Sequence, residues 1–283
     1  MEIKKVCVLG TGTIGFQIAQ QAAQVGGYVV SLRDIDTKLV QKGLDQIKGG
    51  FDKFFVAKGK MTQAQADEIF GRIQGTTDLK KAVDGADLVI EVIPEVLDLK
   101  KKLFKELDEL CAPHTILASN SSSLCITEIA SLTKRQDKAI GTHFFNPVPV
   151  LKLLELVVGF NTSQETVETI KEFAKRMNKE VVVVKDSPGF ITTRLFASLV
   201  NEATKLMQEG VATAEDIDKA MMLGFGWPMG PLRAGDWNTE ITFNVLNYLR
   251  QQLGDGYGPT KYFYQMMSAG HKGRQVGRGF FKY

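Results

Sequence analysis

The sequence predicts an α/β protein: a doubly wound, mostly parallel sheet over residues 1–186, followed by an all-helical C-terminal domain over residues 187–283. Three observations predict it. A short apolar strand near the start runs straight into a glycine-rich turn and then a helical pattern. Short apolar runs then alternate with helical patterns as far as Glu180–Val184. At Asp186-Ser187-Pro188-Gly189 the strands stop, and only helical periodicity follows. A chain of 283 residues is long enough for two domains.

Taken in order, the first strand is Lys5–Leu9. The turn Gly10-Thr11-Gly12-Thr13-Ile14-Gly15 follows, then the helical Phe16-Gln17-Ile18-Ala19. A second strand, Tyr28–Leu32, leads to Asp34, 19 residues past Gly15. This is the Rossmann-like dinucleotide-binding arrangement. Gly10 permits the tight turn, Gly12 lets the backbone approach a pyrophosphate, and Gly15 lets the helix pack on the strand. Thr13 and Ile14 open the helix N-terminus, whose N–H groups face the phosphates. A carboxylate at Asp34 accepts from ribose hydroxyls and repels a 2′-phosphate, which selects NAD(H) over NADP(H). Arg33 should point to the opposite face of its strand.

A long excursion follows before the sheet resumes at Leu88. It contains a helix over Gln63–Arg72, with Thr62 as N-cap and Gly75 shortly after its end, and it is long enough to form a helical arm. The remaining strands are Leu88–Glu91, Thr115–Ser119, Lys138–His143, Leu153–Val158 and Glu180–Val184. Beyond Pro188, Ile191, Leu195, Leu199, Ala203 and Leu206 share one face of a helix longer than ~20 residues that ends at Gly210. Such a face packs either on a partner subunit or within the chain. Thr213 starts the next helix, with Glu215 and Asp216 in its first turn. Gly224–Pro231 is a turn-rich break, and more helix follows.

Composition excludes several classes. A 44% hydrophobic content is ordinary for a globular protein, and a net charge of +3 is too small to argue for nucleic acid or a membrane surface. The densest lysine run, Lys100–Lys102, reads mostly as a solvated helix face. Cys7, Cys111 and Cys125 have neither metal-like spacing nor a disulfide pattern, which fits a reducing compartment. Lys4-Lys5 lead into only four apolar residues, unlike a signal peptide, and no run approaches the roughly 18 residues of a membrane span. The expectation is a cytoplasmic protein with no metal.

The sequence has three histidines. His114, in a Pro-His-Thr turn, and His271, in a polar loop, read as solvent-facing. His143 ends the strand KAIGTH, where ligands of a doubly wound sheet sit. Glu155 is the single carboxylate in the apolar strand LKLLELVVG, and a buried acid needs a partner. A Glu–His pair raises the basicity of the imidazole and fixes its tautomer, the requirement for deprotonating a hydroxyl as hydride leaves. The alternative is that Glu155 faces solvent on an edge strand. Ser119-Asn120-Ser121-Ser122-Ser123 follows the strand Thr115–Ser119. Its hydroxyls either meet the nicotinamide side of the cofactor or cap the helix Ile126–Leu132.

HFFNPVPVLKLLELV, ILASNSSSLCITEIA, DSPGFITTRL and WPMGPL together resemble the L-3-hydroxyacyl-CoA dehydrogenase family, in particular its short bacterial 3-hydroxybutyryl-CoA dehydrogenases. The match runs from Lys5 to the final GRGFFKY. The resemblance implies an NAD-dependent oxidoreductase that acts on a (3S)-3-hydroxyacyl thioester of CoA. It implies His143 as catalytic acid/base, Glu155 as its orienting partner and Ser122 as the hydroxyl that holds the reacting oxygen. Glu95 and Lys100, in IPEVLDLK, fall near the nicotinamide and ribose, with Asn120 and Asn146 as further cofactor contacts. Lys53, Lys58 and Lys60 correspond to an arm that meets the CoA phosphates, and a homodimer is expected through the helical domain.

Two departures bear on the acyl group. The family has Asn–Arg where this chain has Thr193-Arg194, and that Asn contacts the acyl group. Past Met229-Gly230-Pro231 the family continues with apolar residues and a Gly-Leu-Asp step, whereas this chain reads Leu232 to Glu240 as LRAGDWNTE, with Arg233 and Trp237 as candidate acyl neighbours. Two alternatives follow: the same chemistry on an acyl-carrier-protein thioester, or a non-catalytic NAD-binding homologue.

Overall fold

The structure, a computed structural model, describes residues 1–283. The chain divides into two compact units, Met1–Asp186 and Ser187–Tyr283. The first unit runs β1 (Lys5–Leu9), α1 (Gly15–Gln24), β2 (Val29–Arg33), α2 (Thr37–Phe51), α3 (Gln63–Phe70), β3 (Ile73–Thr76), α4 (Leu79–Val83) and β4 (Leu88–Glu91). It continues with α5 (Leu97–Leu110), β5 (Ile116–Ser119), α6 (Ile126–Ile129), β6 (Ala139–Phe144), β7 (Leu153–Val158), α7 (Gln164–Arg176) and β8 (Glu180–Lys185).

These strands form one eight-stranded sheet in the order β3-β2-β1-β4-β5-β6-β7-β8. Pairing is parallel except between β6 and β7. Every residue of β4, β5 and β6 is buried, as expected of strands covered on both faces. On one face, Val6, Val8, Val30, Leu88 and Ile140 form a core with Ile18 and Ala22 of α1 and Ile170 and Phe173 of α7. Chain order reverses direction across the sheet between β1 and β4, so a crevice opens at their carboxyl ends.

The sheet has one strand beyond those the sequence pattern reveals. β3 is Ile-Gln-Gly-Thr on the outer edge, and only Ile73 is buried, so it carries no apolar run. Gly75 belongs to this strand and does not mark a helix end. A Cβ there would lie 2.6 Å from Val40 and 2.8 Å from Leu44, so glycine lets α2 lie directly on the strand. Helix α3 does start at Thr62, which shares a capping box with Gln65, and stops at Gly71. The excursion is therefore a helical hairpin rooted in the core by Ile47, Phe51 and Ala66. A single π-helical turn, Asp52–Val56, and an exposed tip join its two helices.

Helix α6 is also built differently from expectation. It is a single turn extended by a 3₁₀ turn, and no side chain of the serine loop caps it. Asp186 does so instead, accepting from Ile126 N at 2.9 Å and Thr127 N at 2.7 Å. None of the three cysteines is in a disulfide, and burial pushes the Cys7 and Cys111 thiols up, the latter to about 11. His114 is half-exposed against Asp87.

The second unit is helical: α8 (Thr192–Gln208), α9 (Ala214–Phe225), α10 (Pro231–Gly235), α11 (Thr239–Leu253) and α12 (Lys261–Ser268). At 17 residues α8 is shorter than expected, and the apolar stripe faces inward only toward its C-terminal end, where Ala203 is buried and Leu206 packs against the core. Ala197, Val200, Ala203 and Thr204 face inward, because these small side chains let α8 approach Leu232, Leu246 and Phe263. Ile191 and Leu195 are exposed, the latter by 67%. Thr213 caps α9 through Asp216 N, with both acids in the first turn.

The segment Leu232–Glu240 has a structural task. Asp236 is fully buried and accepts from Phe280 N at 2.7 Å and Phe281 N at 2.8 Å, clasping the chain terminus. Arg233 lies 3.6 Å from the Phe281 ring centre, so its guanidinium is committed to that terminus rather than to an acyl group. No helix is long and apolar enough to cross a membrane.

Candidate active site

The glycine-rich turn separates what the fold needs from what a ligand needs. Gly10 has φ +109°, and a Cβ there would lie 2.5 Å from the Val92 carbonyl oxygen. A Cβ on Gly15 would lie 1.9 Å from the Gly10 carbonyl oxygen. Both glycines are required by the protein itself. Gly12 is not: its Cβ would meet no protein atom within 4 Å. It lies just before α1, whose N-cap residue Ile14 supplies no side-chain cap. Thr13 is exposed beside it. The only occupant that needs Gly12 bare is one that lies against the turn, which is where a pyrophosphate would lie.

Asp34 faces this turn. Its Oδ2 accepts from Thr11 N and Thr11 Oγ1, each at 2.8 Å, and its Oδ1 accepts from Ile35 N at 2.7 Å. Thr11 was not singled out by its sequence, yet it fixes the carboxylate. Arg33 turns elsewhere, donating to the Thr77 carbonyl at 3.2 Å. The residues present therefore fit NAD: a bare glycine turn at a helix start, with a fixed negative charge beside it.

His143 and Glu155 are directly opposite each other in the antiparallel β6–β7 pair. Twelve residues apart in sequence, they meet because directly paired residues project to the same face. Glu155 Oε2 lies 2.7 Å from His143 Nδ1, with side-chain exposures of 1% and 7%. Glu155 is thus buried beneath the histidine, with β8 outside it, rather than on an exposed edge. Phe145 packs on the imidazole at 4.3 Å between ring centres. Asn120 Oδ1 accepts from Phe144 N at 2.8 Å, tying the end of β5 to the end of β6.

The serine loop is held by Glu95. Its Oε1 accepts from Ser121 Oγ at 2.6 Å, Ser122 N and Ser123 N at 2.9 Å, and Ser123 Oγ at 3.1 Å. Ser121 and Ser123 commit their hydroxyls to Glu95, while Ser122 gives only its backbone N–H. Beneath them lies a buried ion pair. Lys100, 1% exposed, donates to Glu91 at 2.6 Å and the Ile93 carbonyl at 3.2 Å, and its Nζ lies 3.3 Å from Glu95 Oε2. Its three hydrogens are met by these groups, so Lys100 is no part of a solvated face. Glu91 also accepts from Ser119 Oγ at 2.7 Å. Burial pushes the Glu91 carboxyl above the usual range against the pull of Lys100. For Glu95, burial acts upward, but Lys100 and the serine hydrogen bonds outweigh it, and the carboxyl lies below the usual range. Sequence reasoning missed Glu91. A carboxylate closing the apolar strand LVIE was the available signal, the same one that revealed Glu155.

Three lysines lie at or beside the hairpin tip. Lys53 and Lys58 hold their ammonium groups 5.4 Å and 5.7 Å from the ring centre of Phe54, which is 51% exposed, and Lys60 is exposed nearby. In the second unit, Thr193 is half-buried in the first turn of α8. Its neighbour Arg194 hydrogen-bonds the Tyr257 hydroxyl.

The family models divide the chain in the same region as the two units. The model described as "3-hydroxyacyl-CoA dehydrogenase, NAD binding domain" matches residues 5–187, and that described as "3-hydroxyacyl-CoA dehydrogenase, C-terminal domain" matches 189–283. The chain belongs to the 3-hydroxyacyl-CoA dehydrogenase family. It is 42% identical over 285 residues to a probable 3-hydroxybutyryl-CoA dehydrogenase of Bacillus subtilis, covering 100% of this chain and 98% of that one. It is equally identical to the 3-hydroxybutyryl-CoA dehydrogenase of Clostridioides difficile, with 99% of each covered. The crystal structure of (S)-3-hydroxybutyryl-CoA dehydrogenase from Ralstonia eutropha superposes with a TM-score of 0.94 at 38% identity, covering 100% of this chain and 99% of that one. As a 3-hydroxyacyl-CoA dehydrogenase the protein is an NAD-dependent oxidoreductase, and the glycine turn with Asp34 is the part of this chain suited to the dinucleotide.

Proposed function

We propose that this chain interconverts (3S)-3-hydroxybutyryl-CoA and acetoacetyl-CoA, with the chemistry at the carboxyl ends of β5 and β6. The observation that carries this reading is the buried His143–Glu155 pair at 2.7 Å. In oxidation, His143 Nε2 takes the proton of the 3-hydroxyl, and Glu155 stabilises the imidazolium that forms. Ser122 donates a hydrogen bond to the reacting oxygen, and Glu95, supported by Lys100 and Glu91, holds its loop. NAD, when bound, supplies the acceptor for the hydride that leaves C3. Gly10, Gly12, Thr13, Ile14, Gly15 and Asp34 bind that cofactor, and Asn120 and Asn146 contact its nicotinamide half. Lys53, Lys58 and Lys60 meet the CoA phosphates by charge, and Thr193 contacts the acyl group. Carrier-protein thioesters are the weaker reading, since the relatives are named for CoA esters.

The helical unit forms a homodimer contact through its exposed Ile191, Leu195 and Phe225, and the protein works in the cytoplasm. Light scattering that finds only monomer at micromolar concentration refutes the dimer. The activity is tested by NADH oxidation with acetoacetyl-CoA for wild type and His143→Ala. A loss of about 10²–10⁴-fold with NADH binding retained is the expected result. A variant that keeps a tenth of the wild-type rate places the chemistry elsewhere.

A further inference from the structure

Gln17, in the first turn of α1, is a buried polar side chain that the chemistry above leaves unused. Its Oε1 accepts from Val148 N at 2.8 Å. Its Nε2 donates to the Thr13 carbonyl at 2.6 Å and to Asn146 Oδ1 at 2.9 Å. A backbone N–H can only donate and a carbonyl can only accept, so these two partners leave the Gln17 amide one orientation. The consequence passes to Asn146, whose Oδ1 must face Gln17 and whose Nδ2 must face the other way. Asn146 is exposed, three residues past His143. The same side chain thus grips the glycine-rich turn at Thr13 and the loop that follows the catalytic strand at Asn146 and Val148.

We propose that Gln17 is a positioning residue for this reaction, which orients the Asn146 carboxamide so that it offers N–H donors, and no acceptor, to an oxygen of the bound ligand. The inference rests on the reading of the β6 end as the reaction site. The chemistry it implies is specific: the ligand atom opposite Asn146 is an acceptor oxygen.

Gln17→Glu tests it. The carboxylate still accepts from Val148 N, so the fold keeps that bond. It donates nothing, and its second oxygen faces two acceptors, the Thr13 carbonyl and Asn146 Oδ1. Asn146 then turns over to donate to the new carboxylate and offers an acceptor to the ligand, against the ligand's own oxygen. The expected result is NADH binding weakened about 10-fold by fluorescence titration, and kcat/KM lowered about 10- to 100-fold. In an Asn146→Ala background, the same Gln17→Glu change should cost less than about 2-fold more, because the group it acts through is gone. An effect on the acetoacetyl-CoA KM with NADH binding intact, and still erased by Asn146→Ala, supports the positioning role and puts the accepting oxygen on the thioester. Two results overturn the proposal: Gln17→Glu within about 2-fold of wild type in both measurements, or a defect that persists in full without Asn146, the mark of a merely structural role. Should Gln17→Glu fail to fold, Gln17→Met, of similar length and without donors, enters the same cycle with the same outcomes. His143→Ala separates the two levels. If it remains active, the site reading fails; if it is inactive while Gln17→Glu is normal, only this inference fails.

Discussion

Replacing Glu155 by Gln removes one charge from beneath His143 and changes almost nothing in shape. Glu155 Oε2 and His143 Nδ1 are 2.7 Å apart and both side chains are buried, so water screens the pair little. A hydrogen bond to a charged group contributes about 1.5–3 kcal/mol, and a neutral one about 0.5–1.5. The difference, about 1–2 kcal/mol, corresponds to roughly 5- to 30-fold in rate if it is felt only when the imidazolium forms. A second effect is larger. A carboxylate only accepts, so it holds the proton on Nδ1 and keeps Nε2 able to take one. A Gln amide can instead donate to Nδ1, which moves the ring proton to Nε2 and blocks it as a base. Loss of the correct tautomer costs up to about 10⁴-fold in a comparable triad. The expected loss is therefore above ~10²-fold in kcat in the oxidation direction, with (3S)-3-hydroxybutyryl-CoA and NAD. NADH affinity, measured by fluorescence titration, should stay within about 2-fold. A loss of 5- to 30-fold would mean that charge alone matters and the tautomer is held otherwise. A loss below about 3-fold, in a folded variant, would refute the pairing of these residues as the source of the chemistry.

Gly12→Ala should fold with an unchanged melting profile yet bind NADH at least about 10-fold more weakly, whereas Gly15→Ala, whose Cβ strikes the Gly10 carbonyl, should lose melting temperature; equal behaviour of the two would undo the distinction. NADH should exceed NADPH in kcat/KM by at least ~10²-fold, because the Asp34 carboxylate meets a 2′-phosphate with like charge, and parity would contradict that role. Lys100→Met leaves Glu91 buried without its cation and should destabilise the first unit by about 3–5 kcal/mol, read as a lower unfolding midpoint. Thr193→Asn should raise kcat/KM on acetoacetyl-CoA about 5-fold or more by supplying an amide with paired donor and acceptor; an unchanged or lower value would direct the search to another thioester.

Much of this architecture was legible because the elements that build the site are its most buried ones. Strands β1, β4 and β7 carry dense apolar runs, and their boundaries coincide with the expected ones. β3 was not legible, because an edge strand with one buried residue has no period to detect. The inward face of α8 was misread in its N-terminal half for a related reason. Periodicity finds the large apolar residues, but close helix packing selects small ones, and Ala197 carries little hydrophobic signal. In the site, His143 and Glu155 could be paired from sequence because a lone carboxylate in an apolar strand demands a partner. Thr11 and Gln17 could not be assigned. Their roles depend on contacts across the sheet, between residues far apart in the chain, that no local pattern encodes.

The polar groups of this site obey one rule. Each residue expected to meet a ligand has part of its hydrogen-bonding capacity consumed by the protein, and the remainder is thereby aimed. Asn120 Oδ1 is taken by Phe144 N, and Asn146 Oδ1 by Gln17, so both carboxamides offer Nδ2 hydrogens. Ser122 gives its N–H to Glu95 between two serines that give their hydroxyls, so its own hydroxyl is not committed to that carboxylate. His143 engages Glu155 through Nδ1, so in the proposed reaction proton transfer falls to Nε2. A set of donors around one proton-accepting nitrogen is matched to an oxygen that gains negative charge as its proton leaves, which is the oxygen of a hydroxyl undergoing oxidation. Fixing these groups before the ligand arrives also removes the reorganisation that water would otherwise require. The buried Glu91–Lys100 pair fits the same logic. Its burial is costly for stability and contributes nothing directly to the ligand. Its value lies in keeping Glu95 ionised and immobile, and through Glu95 the hydroxyl of Ser122.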